Sequence, residues 1–321
     1  MHVNKLGKVF LNDPLVGTAP IFKLTPGGLF HLIGSGLWIT CNGHLITAWH
    51  VIADNIGKDG VDEGPIVAIQ TLPDRTLIVR SLKQSIRHKT FDLALSETAP
   101  ESPAPPTIPH MMTLEGPAVG SHIHTHSFLD PHQTFSNEKV SGVSTFVYRG
   151  EGHIPEKDLH FDVGYMARVS VGKVVERFPA GRDSVMLPFP CFQSDMPLYG
   201  ANSGGPVFDE KGRVCGINCT SYEGADISFH ASLEGVLSLT ARDIAFIPED
   251  PVPRRRSVAE MGLAHRIPFD PPLIKIFVPL YIRVLLWPYH LWLDFYAALR
   301  WKLRPQMRKA TEEVKTGKRK T

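Results

Sequence analysis

The sequence predicts an all-β protein built as two antiparallel barrels or sandwiches. Three observations lead there. Short apolar runs recur along the chain with Gly, Pro, Asn and Asp between them. No long amphipathic helix is legible before about residue 240. The segment PESPAPPTIP, residues 100–109, holds five prolines in ten residues and divides the runs into two groups as an extended connector.

The bulk numbers agree. With 43% hydrophobic and 21% charged residues over 321, the chain has an ordinary globular composition and enough length for one large domain or two smaller ones. The 27 glycines and 27 prolines favour turns and short strands over long helices. The net charge of +2 is uneven. Residues 301–321 carry eight Lys/Arg against two Glu, a net +6, which leaves −4 for the remaining 300. The basic character belongs to a tail, so the body need not be a polyanion binder, and no nucleic-acid motif accompanies the tail.

In the first group, residues 29–39 (LFHLIGSGLWI) read as a strand interrupted by Gly34-Ser35-Gly36, and residues 44–52 (HLITAWHVI) follow the turn Cys41-Asn42-Gly43, a hairpin signal. Further strands read at 66–70, 76–80 and 91–95. In the second group they read at 122–128, 143–148, 166–175, 185–192, 206–208, 213–219 and 227–238. The sequence thus divides into a body over 1–245, with halves at about 1–99 and 110–245, and an extension over 246–321.

The chemistry-bearing residues come in a set order. GANSGGPVF, residues 200–208, places Ser203 in a glycine-rich turn. A serine becomes a nucleophile only with a base to take its proton and donors to hold the oxyanion that follows. His50, in LITAWHVIAD, follows an apolar run and a small-residue turn. Asp92, in FDLALSE, is a lone acid in an apolar run, where a carboxylate needs a partner, and a histidine serves. His50 is then the base and acid, Asp92 holds its tautomer, and Ser203 attacks the carbonyl. Backbone N–H groups of Ala201, Asn202 and Ser203 are the candidate oxyanion donors. Acyl transfer of this kind needs no metal and no organic cofactor.

Other clusters carry less. His122, His124 and His126 alternate in SHIHTHSF and share one strand face about 7 Å apart, but ligands on one straight strand converge poorly on a tetrahedral zinc, so the expectation is a polar, solvent-facing side. Cys215 and Cys219 lie about 13 Å apart on an extended strand, too far for a disulfide, and read as small buried residues. Four cysteines are no disulfide framework. The first residues show no basic start followed by an apolar core, which reads as no secretory signal and a reducing, cytoplasmic setting.

Residues 272–301 are rich in Trp and Tyr. Their longest stretches free of Asp, Glu, Lys and Arg are 276–282 and 284–293, short of the roughly 20 residues of a spanning helix. With the basic tail, residues 272–321 suit an interfacial helix on an anionic membrane, a partner-docking segment, or packing against the body. A cytoplasmic protein peripheral at a membrane is the corresponding expectation.

The blocks GSGLWIT…GHLITAWHV, FDLALSE and CFQSDMPLYGANSGGPVFDEKGRVCGIN resemble the chymotrypsin/trypsin-like serine peptidases, and among them the bacterial HtrA-type domains. The resemblance covers about residues 27–238. It implies two six-stranded antiparallel β-barrels with the triad His50, Asp92 and Ser203 in the cleft between them, a partly helical C-terminal extension, and a protein or peptide substrate. It also implies a specificity pocket formed by Asp195, Pro197, Asn218, Thr220, Ser221 and His230, with three alternatives open: Asp195 as a selector of Lys/Arg, a polar pocket around Asn218 and His230, or a pocket for a small or medium side chain. The family has glycine where this chain has Ala201, at a position of positive φ that costs alanine roughly 1 kcal/mol. No PDZ domain is legible in residues 246–321.

Overall fold

The computed structural model describes residues 2–3, 9–10, 14–24, 29–56, 64–74, 76–101, 103–129, 144–154, 159–222, 226–242, 255–273 and 276. The first barrel comprises β1 (Thr18–Leu24), β2 (Phe30–Trp38), β3 (His44–Thr47), β4 (Ile66–Thr71), β5 (Leu77–Arg87) and β6 (Ala94–Pro100). The strands close in the order β1-β2-β3-β6-β5-β4. The Asn42-Gly43 turn joins β2 to β3 as its residue types predict. Gly43 sits at φ 85°, the left-handed region such a turn requires, and Leu37 and Trp38 pair with Ile46 and Leu45.

The second barrel uses β7 (His122–Leu129), β9 (Leu159–Phe178), β10 (Cys191–Ser194), β11 (Pro206–Phe208), β12 (Val214–Ser221) and β13 (Ser228–Ser232). These close in the ring β7-β9-β10-β13-β12-β11, and β8 (Ser144–Ile154) extends the sheet as a hairpin with the first half of β9. Both halves are therefore closed six-stranded antiparallel barrels, a double-barrel arrangement of the chymotrypsin kind. The run at 185–192 is a loop until Cys191, because the Asp183 carboxylate accepts the N–H groups of Val185, Met186 and Leu187 and holds them in a turn.

Packing between the barrels fixes the site. Phe22, Leu32, Val67, Ile69 and Val79 of the first barrel share one buried cluster with Phe128, Tyr165 and Ala167 of the second, and Ala201 packs against it. The Thr71 and Tyr165 hydroxyls meet at 2.7 Å across the seam. The proline-rich connector is pinned to the first barrel. The Arg80 guanidinium donates to the Pro105 carbonyl, Gln70 donates to the Pro106 carbonyl, and Thr107 donates to the Thr40 carbonyl. Burial pushes Arg80 down to about 10.

The His122–His126 face differs from the sequence expectation of a polar, solvent-facing side. His124 stacks on Phe208 at 5.1 Å, and the His110 and His126 rings meet the same ring edge-on, His126 being buried. Phe208 supplies an apolar platform on the neighbouring strand, so only His122 stays outside, 3.4 Å from Glu210.

After the second barrel, β14 (Thr240–Arg242) pairs with β15 (Arg255–Ser257), and a capping box of Ser257 and Glu260 starts α2 (Val258–Leu263). Val258, Met261, Ile267 and Phe269 are buried. Arg213 donates to Asp209, Glu115 and Asp270 together. Residues Met1–Pro272 form one compact unit and Leu273–Thr321 a second. The membrane- or partner-contact expectation for 272–321 falls almost wholly outside the described residues. Among those described, no helix is long and apolar enough to cross a membrane.

Candidate active site

His50 stands in the first turn of α1 (Trp49–Ala53), directly after β3 ends at Thr47 and Ala48 caps the helix in extended backbone. Asp92 lies in the tight turn before β6, not within a strand, because the His88 N–H bonds the Leu93 carbonyl and the His88 ring accepts the Phe91 N–H. This turn aims the carboxylate at α1. Asp92 Oδ2 lies 2.6 Å from His50 Nδ1, and Oδ1 accepts the backbone N–H of His50 at 3.0 Å. Burial pulls the imidazole down, but the hydrogen bond and charge of Asp92, helped by Asp54, outweigh it and raise His50 above its ordinary value.

Ser203 occupies the turn before β11. The Asn202 N–H bonds the Tyr199 carbonyl at 3.0 Å and the Gly205 N–H bonds the Asn202 carbonyl at 3.1 Å. Gly204, at φ 82°, has no room for a Cβ, which would fall 2.1 Å from Thr47 Oγ1 and 2.3 Å from the Ser35 carbonyl. The first glycine of SGG is thus dictated by the first barrel pressing on the loop. Ala201 adopts φ 65°, the left-handed conformation expected of a glycine. The Ser203 hydroxyl donates to the Cys219 carbonyl at 3.3 Å. Cys219 is the extra residue of a bulge on β12, between the paired Asn218 and Thr220.

The three triad positions share one cavity of about 410 Å³ lined by His50, Asp92, Met186, Leu187, Phe189, Leu198, Tyr199, Gly200, Asn202, Ser203, Cys219, Thr220 and Ser221. Of the expected oxyanion donors, the Asn202 N–H is taken by Tyr199, so that position is corrected. Among the described residues no acceptor takes the N–H of Ala201 or Ser203. The Asn202 side chain is buried, and neither amide atom has a partner among those residues.

Of the expected pocket residues, Thr220 and Ser221 line the cavity. Asn218 and His230 do not, because the bulge at Cys219 turns Asn218 into the barrel. There its amide accepts from His230 Nδ1 at 2.9 Å and donates to Thr125 at 2.7 Å, while Ser194 meets His230 Nε2 at 2.7 Å. Burial pushes His230 down to about 3. Asp195 is exposed and accepts the Lys173 N–H, and neither it nor Pro197 lines the cavity. The apolar wall of Met186, Leu187 and Phe189 comes from the 179–190 loop, where the sequence suggests a strand from 185 and nothing that links it to the site. It reaches the site because Phe189 stacks on Phe91, beside Asp92, at 5.1 Å. Among the described residues no cluster of His, Cys, Asp and Glu could hold a metal ion.

A family model described as a trypsin-like peptidase domain matches residues 34–217. The chain belongs to the trypsin-like peptidase family. Several solved structures are similar to about two thirds of the chain. Deg5 is 17% identical at a TM-score of 0.46, covering 69% of this chain and 85% of that one. The MamO protease domain from Magnetospirillum magneticum is 13% identical at 0.42, covering 68% and 92%. An inactive form of Rv3671c from M. tuberculosis H37Rv is 14% identical at 0.41, covering 68% and 82%. No characterised protein matches by sequence at a significant level. The matched span of this trypsin-like peptidase contains His50, Asp92 and Ser203. It also contains Ser35 and Thr47, which the sequence reading left without a role.

Proposed function

We propose that the chain is a serine endopeptidase that acts on peptide bonds through Ser203, His50 and Asp92. The observation that carries this reading is the 2.6 Å contact of His50 Nδ1 with Asp92 opening onto the same cavity as Ser203. In the reaction, a staggered rotation about χ1 takes the Ser203 hydroxyl from the Cys219 carbonyl towards His50 Nε2. His50 takes the proton as Oγ bonds to the carbonyl carbon, and the Ala201 and Ser203 N–H groups hold the oxyanion. Collapse breaks the C–N bond, and His50 returns the proton to the leaving amine. Water, deprotonated by His50, then hydrolyses the acyl-enzyme and restores the Ser203 hydroxyl. The cavity walls near the triad are apolar or uncharged, so the reading assigns the site an uncharged, apolar side chain and not Lys or Arg.

A second reading, a protease fold that binds without cleaving, is favoured by the Ser203 hydroxyl donating to the Cys219 carbonyl. A fluorophosphonate probe separates the two. Covalent labelling of the wild type that is absent in Ser203→Ala supports the peptidase, and a folded wild type that never labels supports the binding module.

A further inference from the structure

We infer that Asn218 is a positioning residue whose side-chain amide holds the peptide between Asn202 and Ser203 by its carbonyl, and so keeps the Ser203 N–H available as an oxyanion donor. The catalytic consequence rests on the peptidase reading, whereas the hold itself is a matter of hydrogen-bond geometry.

Asn218 is fully buried on β12 and meets the nucleophile turn with three groups. Its carbonyl accepts the Gly204 N–H at 2.8 Å, its N–H donates to the Gly205 carbonyl at 2.9 Å, and its Nδ2 donates to the Asn202 carbonyl at 3.3 Å. The two backbone bonds fix residues 204 and 205. The side-chain bond, together with the Gly205 N–H at 3.1 Å, acts on the 202–203 peptide. In a planar trans peptide the N–H points opposite to the carbonyl, so the Ser203 N–H points away from Asn218. Turning that peptide over breaks both bonds on its carbonyl and sets the Ser203 N–H against the Asn218 amide, donor against donor.

The amide presents nitrogen and not oxygen to Asn202 because a buried chain sets its sense. The Pro206 carbonyl can only accept, so the Thr125 hydroxyl donates to it at 2.7 Å and offers its own oxygen to Asn218 Nδ2 at 2.7 Å. Asn218 Oδ1 is left to accept from His230 Nδ1 at 2.9 Å, which makes Nε2 the acceptor of the Ser194 hydroxyl at 2.7 Å. The Ser194 oxygen in turn accepts the Met196 N–H at 3.3 Å, so its proton is available for His230. Burial keeps His230 neutral, with its pKa pushed down to about 3, so the chain keeps one sense across the neutral range. Both amide hydrogens and the amide oxygen of Asn218 are thereby committed, and the amide cannot turn over without breaking all three bonds.

The test compares Asn218→Leu with Ser194→Ala in the full chain, by Tm and by fluorophosphonate labelling over a range of probe concentrations. Ser194→Ala breaks the same chain beyond His230 and leaves the Asn218 amide held by Thr125. Both variants lower Tm. Asn218→Leu also lowers the limiting labelling rate on the order of 10²-fold, the loss of one oxyanion donor, with the half-saturating probe concentration little changed. Ser194→Ala lowers the limiting rate less than about threefold, because every oxyanion donor stays in place. Should Asn218→Leu not fold, Asn218→Asp keeps the volume, faces the Asn202 carbonyl with an acceptor, and loses labelling in the same way. Equal losses of limiting rate in the Asn218 and Ser194 variants would reduce Asn218 to a packing residue and overturn the inference. Crystal structures read the peptide without activity: the Asn202 carbonyl faces Asn218 in the wild type and turns away in the variant, and a peptide that stays put in the folded variant overturns the inference as well. A wild type that never labels would sink the peptidase reading, while the turn of the peptide still decides the role of Asn218.

Discussion

His50 and Asp92 are joined twice. The carboxylate bonds the imidazole at 2.6 Å and the backbone N–H of the same residue at 3.0 Å. The second bond ties Asp92 to the start of α1, so the ring and its partner move as one piece. The pair also sets the pH at which the base is free. Because the His50 pKa is raised, the proposed peptidase activity should appear only as pH rises through that raised value.

Asp92→Asn should therefore shift the acid limb of the pH–rate profile downward, because burial remains while the raising partner is gone. It should also lower kcat roughly 10⁴-fold through the wrong tautomer. The profile measured on a chromogenic peptide checks both. An acid limb that stays in place would contradict the assignment of the shift to Asp92.

Gly204→Ala should unseat the nucleophile loop. The new Cβ meets Thr47 Oγ1 at 2.1 Å and the Ser35 carbonyl at 2.3 Å, in a residue already at φ 82°. A loss on the order of 3 kcal/mol or more is expected by chemical denaturation, together with loss of probe labelling.

The Met186 side chain lines the cavity while 68% exposed, so it can change without emptying the core. Met186→Asp should leave Tm nearly unchanged and lower kcat/KM for peptides with an apolar residue near the scissile bond about tenfold or more. A peptide-library profile of both proteins reads this directly. An unchanged profile would remove the 179–190 loop from substrate recognition.

Stability should fall on acidification below about pH 6.5. His230 is held neutral with its pKa near 3, and His126 lies well below its ordinary value through burial and the neighbouring His124 and His110. The unfolded chain binds protons these groups refuse. Each contributes a slope of up to about 1.4 kcal/mol per pH unit between its folded pKa and 6.5, with stability lost as pH falls. Urea midpoints across this range should show it, and His230→Gln should flatten the slope.

The sequence by itself determined the fold class and singled out three candidate chemical groups. Alternating apolar runs fix strands locally, a Cys-Asn-Gly turn fixes a hairpin, and His50, Asp92 and Ser203 each stand in a short block whose residue types single them out as candidates without reference to distant parts of the chain. Only the tertiary structure decided what surrounds them. One bulge at Cys219 reverses the side-chain parity of β12, burying Asn218 against His230 and leaving Thr220 and Ser221 at the cavity. A loop about 90 residues beyond Asp92 in the chain supplies Met186, Leu187 and Phe189. Ser35 reaches Ala201 across 166 residues. Such contacts depend on how two closed barrels press together, and a local pattern of residues holds no record of which remote atoms that pressing brings within bonding distance.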